Sequence, residues 1–171
     1  MLFRNESCWF AIQVKPGLEF NIASMLKSKG YEEFVPTYRS EKNGRGSSER
    51  PFFSGYVFCR FDPTVRAPIV TTPGVIRVVG YGRTPASLSD SEMQAVRTVA
   101  SSNLPAKPHA YIASGQRVRI REGPLRGVEG DIAQTGDRQC LVVSVSLLQR
   151  SIAVEVEPAW LEAVSVSQHG M

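Results

Sequence analysis

The chain has 171 residues, of which 42% are apolar and 21% charged, with a net charge of +4. Those proportions exclude a disordered or fibrous chain and suit an ordinary soluble protein with one good core or two small ones. No apolar run approaches the roughly 20 residues of a membrane span, and Arg4, Asn5 and Glu6 interrupt any leader-like segment, so a cytoplasmic protein is expected, with no membrane partner.

The first strand is predicted over Cys8 to Val14, with Phe10, Ile12 and Val14 on one face and Trp9, Ala11 and Gln13 on the other. Pro16-Gly17 ends it, and a helix follows from about Leu18 to Lys29 because Leu18, Ile22, Met25 and Leu26 recur at helical spacing before Gly30. A short strand lies near Glu32 to Val35. Residues 37–50 (TYRSEKNGRGSSER) are nearly devoid of apolar side chains and read as a basic loop or hairpin tip. The next segment, PFFSGYVFCRF (51–61), concentrates five aromatic rings. As a strand it puts Val57, Cys59 and Phe61 on one face and Tyr56, Phe58 and Arg60 on the other. A turn or short helix after Asp62-Pro63 and a strand in GVIRVVGY follow. Ser89 and Glu92 form a capping box ahead of a helix from Asp90 to about Ala100, with Met93 and Val96 inward. The order β-α-β-β-(α)-β-α is that of an α+β, ferredoxin-like sandwich over residues 1–100.

Residues 101–110 (SSNLPAKPHA) carry two prolines and no periodicity and read as a linker. Beyond it the pattern is strand-like. In GQRVRIRE, Val118 and Ile120 alternate with Arg117, Arg119 and Arg121. Gly123-Pro124 makes a turn, LVVSVS and SIAVEVE are two further strands, and WLEAV is a last short one. Residues 111–167 are expected to form a small SH3-like β-barrel, with 168–171 as a tail.

The positive excess lies wholly in residues 1–104, with thirteen Lys/Arg against nine Asp/Glu; residues 105–171 hold seven of each. That asymmetry points weakly to a nucleic-acid contact in the first part. Cys8, Cys59 and Cys140 are scattered and lack metal-ligand spacing, so they read as reduced core residues. His109 and His169 are isolated. With no phosphate loop, nucleophile-base pattern or paired-carboxylate motif, neither an enzyme nor a cofactor is expected.

VRIREGPLRGVEGDI (118–132) looks like a KOW motif, carried by Val118, Ile120, Gly123, Pro124, Gly127 and Gly130. CWFAIQVKPGLE, RPFFSGYVFCRF and TPGVIRVVG, in that order ahead of it, resemble the NusG N-terminal domain (NGN domain). The likeness covers roughly residues 8–165 and identifies the chain as resembling a NusG-family transcription elongation factor. It implies a monomer whose first domain binds RNA polymerase at the β′ clamp helices through Trp9, Ala11, Gln13, Phe53, Tyr56 and Phe58. The family's Phe-Pro-Gly-Tyr segment reads Phe53-Ser54-Gly55-Tyr56 here, and the serine should loosen the turn. The likeness further implies that Tyr38, Arg39, Lys42, Arg45 and Arg50 lie near the non-template DNA strand. The KOW domain would recruit a small-subunit ribosomal protein or Rho.

The style of residues 41–63 and the lack of phenylalanines after the Gly-Pro turn resemble the specialised RfaH-like branch, which implies processive antitermination. TVRAPIVTT does not match that branch's His-Thr-Thr-Thr segment, the part that contacts the polymerase β subunit. That branch refolds its KOW domain into helices; the β-branched content of LVVSVS and SIAVEVE favours strands here. The alternative reading is a KOW-type RNA-binding or ribosome-associated protein, with Arg117, Arg119 and Arg121 on phosphates, set against a solvated barrel face.

Overall fold

The computed structural model describes residues 8–41, 46–112 and 115–164. The chain divides into two compact units, residues 1–93 and 94–171.

In the first unit, β1 (Cys8–Val14) leads through Pro16-Gly17 into α1 (Glu19–Ser28), then β2 (Glu32–Phe34). A hairpin of β3 (Thr37–Glu41) and β4 (Ser47–Pro51) precedes β5 (Tyr56–Phe61). The short α2 (Ala67–Val70), β6 (Val75–Val78) and a small hairpin of β7 (Gly80–Tyr81) and β8 (Thr84–Pro85) follow. Four strands form one sheet in the order β2-β5-β1-β6. Apart from the added hairpins this is the α+β, ferredoxin-like arrangement that the element order predicts.

The alternation of β1 and β5 decides where the core sits. Phe10, Ile12 and Val14 share a face with Val57, Cys59 and Phe61, and α1 covers it with Ile22, Ala23 and Leu26. Ile69 of α2 joins them, and the Phe10 and Phe61 rings lie 4.8 Å apart. Burying each such aliphatic side chain stabilises the fold by about 1.5–3 kcal/mol. Gly30, at φ +90°, ends α1 in the left-handed conformation that its position past Lys29 anticipates. Cys59 and Cys140 are buried as expected, but Cys8 is exposed, because it opens β1 at the sheet's end.

α3 (Asp90–Ser101) crosses the division between the units. The Ser89 Oγ accepts from the Glu92 amide at 3.4 Å, and Met93, Val96 and Val99 are buried.

The second unit is a six-stranded antiparallel sheet. Its strands are β9 (Ala106–Ala110), β10 (Gln116–Ile120), β11 (Glu129–Thr135), β12 (Arg138–Val145), β13 (Arg150–Glu155) and β14 (Leu161–Ala163). They run in the order β14-β10-β11-β12-β13-β9, a β-rich unit that fits a KOW, SH3-like domain. One expectation is corrected. Within the segment read as a linker, residues 106–110 form β9, paired with β13 from Ala106↔Val154 to Ala110↔Arg150. Periodicity could not reveal it: β9 contains Pro108, which a strand tolerates at a sheet edge, and β9 is an edge.

Candidate functional site

The second face of the N-terminal sheet carries the residues expected to dock a partner. Antiparallel pairing sets Trp9 opposite Arg60, Ala11 opposite Phe58 and Gln13 opposite Tyr56. Directly opposed residues share a face. The two faces expected separately, Trp9-Ala11-Gln13 and Tyr56-Phe58-Arg60, are therefore one surface. β2 extends it by Phe34↔Phe58 and Glu32↔Arg60, and β6 by Gln13↔Arg77.

Depth divides this surface. Trp9, Ala11, Phe53 and Phe58 are buried. Phe58 lies between two rings, with Phe53 edge-on at 5.5 Å and Phe34 at 6.4 Å. These four are core where the sequence suggested a docking patch. The reason is that a sheet hydrophobic on both faces must cover both. The backbone beside Trp9 and Ala11 is also occupied, since the Leu88 amide donates to the Trp9 carbonyl at 2.8 Å and the Val79 amide to the Ala11 carbonyl at 2.9 Å. Solvent reaches the end row instead: Tyr56 and Gln13 are half-buried and Arg77 is exposed. The Arg77 Nε donates to the Gln13 Oε1 at 2.9 Å. Arg77 has no sequence signal beyond its alternation in β6.

The turn that presents Tyr56 is built by residues 53–56. The Tyr56 amide donates to the Phe53 carbonyl at 3.1 Å, and Gly55 sits at φ +87°. A positive φ only at the third position makes this a type II turn, which needs glycine there and accepts serine at the second. Ser54 therefore leaves it closed, contrary to the loosening expected. Glu19 holds it. The buried Glu19 carboxylate accepts from the Gly55 amide at 2.9 Å and from the Gly17 amide at 3.0 and 3.1 Å. It also stands at the positive end of α1. An acidic residue opening a helix was visible in the sequence; its reach of 36 residues to Gly55 was not.

In the basic hairpin, Tyr38 faces Arg50 and Arg39 faces Glu49. Tyr38 is half-buried with its ring 5.0 Å from that of Phe52, so one of its faces is engaged; Arg39 is exposed and Arg50 half-buried. Lys42 and Arg45 lie outside the described residues.

The KOW residues are architectural. Val118 and Ile120 are buried, and Gly123 and Gly127 adopt φ +89° and +90° around the turn. Pro124 is exposed. A Cβ on Gly130 would lie 2.5 Å from the Val142 carbonyl oxygen, and one on Gly123 would lie 3.1 Å from the Trp160 ring. The arginines of β10 meet acids on β11. Arg119 bonds Glu129, whose hydrogen bond and charge raise the guanidinium pKa, and Arg117 Nη1 stands 3.9 Å from Asp131. The Arg121 Nε donates to the Ala159 carbonyl at 3.1 Å. This favours a solvated face over a phosphate-binding stripe.

Among the described residues there is no cluster of His, Cys, Asp and Glu fit for a metal, and no helix long and apolar enough to cross a membrane.

Comparison with known proteins fits this arrangement. The family model described as "Transcription termination factor nusG" matches residues 7–97. The transcription termination/antitermination protein NusG of Campylobacter jejuni is 30% identical, covering 91% of this chain and 97% of its own. That of Vibrio vulnificus is 32% identical, covering 87% and 91%. Among solved structures, "Domain interaction in Thermotoga maritima NusG" superimposes with a TM-score of 0.57 at 22% identity, covering 94% of this chain and 98% of that one, a likeness of fold. The chain belongs to the NusG family of transcription factors.

Proposed function

We propose that this protein is a transcription elongation factor whose N-terminal unit binds RNA polymerase at the β′ clamp helices and favours the elongating state over the paused one. A ligand shifts such an equilibrium only by its differential affinity. The observation that carries the reading is the Gln13-Tyr56-Arg77 row: an amphipathic ring beside polar groups at the open end of a rigid sheet face. Tyrosine suits a partly wet contact against a helical hairpin, since it offers area, few rotors and a polar tip. Trp9, Ala11, Phe53 and Phe58 then act from beneath, by fixing the row. Arg39 and Arg50, with Lys42 and Arg45, add sequence-independent phosphate contacts to the non-template strand. The second unit recruits a further factor, a ribosomal protein or Rho. The sign of the effect is antitermination, as in the specialised branch.

The test is a purified transcription assay that times a bacterial polymerase through a defined pause and a Rho-dependent terminator. Faster escape with the protein, lost in Tyr56→Ala, is expected. Enhanced Rho termination would instead assign the general role. Unchanged polymerase binding by Tyr56→Ala sinks the docking surface. Co-purification with polymerase should also survive nuclease; its loss would restore the RNA-binding reading.

A further inference from the structure

The second unit holds a feature that the NusG reading leaves unused. At the end of the sheet where β11 turns into β12 and β13 ends, a groove of about 650 Å³ opens. It borders the Gly123–Gly127 turn that carries the KOW signature, since its wall residue Trp160 packs against Gly123. Its apolar wall comes from Leu104, Pro105, Pro158 and Trp160. Its polar wall comes from Asp137, Glu155 and Glu157, against one cation, Arg138, which is already bonded to Glu155. A smaller hollow of about 190 Å³ shares Pro105, Arg138 and Glu155 with it and runs on past Lys107.

These walls are fixed. The Glu155 amide donates to the Pro105 carbonyl at 2.9 Å and the Val156 amide to the Gln139 carbonyl at 3.2 Å. Trp160 is set by the 3-10 turn Pro158–Trp160 and by its ring lying over Gly123, where even a Cβ would crowd it at 3.1 Å.

We propose that this groove binds an extended, proline-containing basic segment of a partner protein. Three features select that class. An indole flanked by prolines grips the ridged, preformed surface of a polyproline II helix. Across the two hollows Asp137, Glu155 and Glu157 outnumber Arg138 and Lys107, and Arg138 is spent on Glu155, so the lining attracts arginine or lysine side chains and disfavours phosphates. β9 covers the edge of β13 and, as the edge strand itself, carries Pro108, which has no N–H to give an added strand, so side chains carry the contact. The two hollows adjoin through Pro105, Arg138 and Glu155, which gives an extended segment more than one subsite.

The proposal stands apart from polymerase docking and is tested without polymerase. The full chain is titrated into a fluorescein-labelled peptide with Arg-Pro-Leu-Pro-Arg at its centre, reading anisotropy. Saturable binding is expected. Asp137→Lys and Glu157→Lys, both exposed positions, should each weaken it about tenfold, since each replaces an attraction with a repulsion. Trp160→Phe should retain more binding than Trp160→Ala, with circular dichroism confirming that each variant is folded. A peptide with glutamate for arginine should not bind, and a single-stranded thymidine oligonucleotide should not compete. No saturable binding, binding indifferent to the charge reversals, competition by the oligonucleotide, or self-association of the protein through the same residues would each overturn the assignment.

Discussion

The Glu19 carboxylate and the Gly55 amide meet at 2.9 Å in the interior of the N-terminal unit, joining the start of α1 to the turn that presents Tyr56. The same carboxylate closes on Gly17, so one side chain sets both loops at that end of the sheet. Glu19→Gln should cost about 1–3 kcal/mol, the scale of charge-assisted hydrogen bonds left imperfectly replaced in the interior. Urea unfolding measures it. A variant as stable as the parent would mean that the turn holds itself.

Phe58 and Tyr56 lie two residues apart on one strand face and should behave oppositely. Phe58→Ala empties a fully buried site and should cost about 3–5 kcal/mol. Tyr56→Ala, at the half-buried end, should cost about 1 kcal/mol, well under half as much, while removing polymerase binding. Denaturant midpoints beside a polymerase pull-down separate the two. Equal destabilisation would make Tyr56 a core residue as well.

Gln149 adopts φ +53°, a left-handed conformation that penalises a side chain. Its Nε2 bond to the Ser146 carbonyl, 2.7 Å, offsets part of that. Gln149→Gly should raise the stability of the second unit by about 0.5–1 kcal/mol. A calorimetric scan showing a lower Tm would mean that the amide bond outweighs the strain.

The Cys59 thiol is pushed up to about 12, first by burial and then by the neighbouring Glu33 carboxylate. The folded state thus holds its proton more tightly than the unfolded chain. The stability this contributes is fully present below the ordinary thiol value near 9 and is lost as pH rises from there toward 12. Wild type should therefore lose more stability than Cys59→Ala between those limits. Iodoacetamide near pH 8 should label the exposed Cys8 first and Cys59 only on unfolding. Rapid labelling of Cys59 in the native protein would contradict this burial.

Strand alternation made the faces of β1 and β5 legible, and with them the whole α1 core. It could not say which face was wet, because both are apolar, and burial turned on ring-on-ring packing of Phe34, Phe53 and Phe58 that no spacing encodes. The KOW glycines were legible as a motif, but their purpose was not. Gly130 is needed because the Val142 carbonyl approaches it across the ladder, a long-range fact. Glu129 and Asp131, close by in sequence, already favoured a solvated face for Arg117 and Arg119, and the β10–β11 register sets those acids directly opposite them. β9 was missed because Pro108 masks a strand whose pairing partner lies at least forty residues away. Lys42 and Arg45 of the basic segment remain expectations from sequence.

The chain's two tryptophans fall one in each unit, Trp9 buried in the first and Trp160 half-buried in the second. Each unit therefore carries its own fluorophore, with the blue-shifted emission of an enclosed indole on one side and a redder, quenchable one on the other. Replacing either with phenylalanine leaves a single-colour reporter of the opposite unit. Melting followed through each reporter in turn would show whether the protein comes apart in one cooperative step or in two.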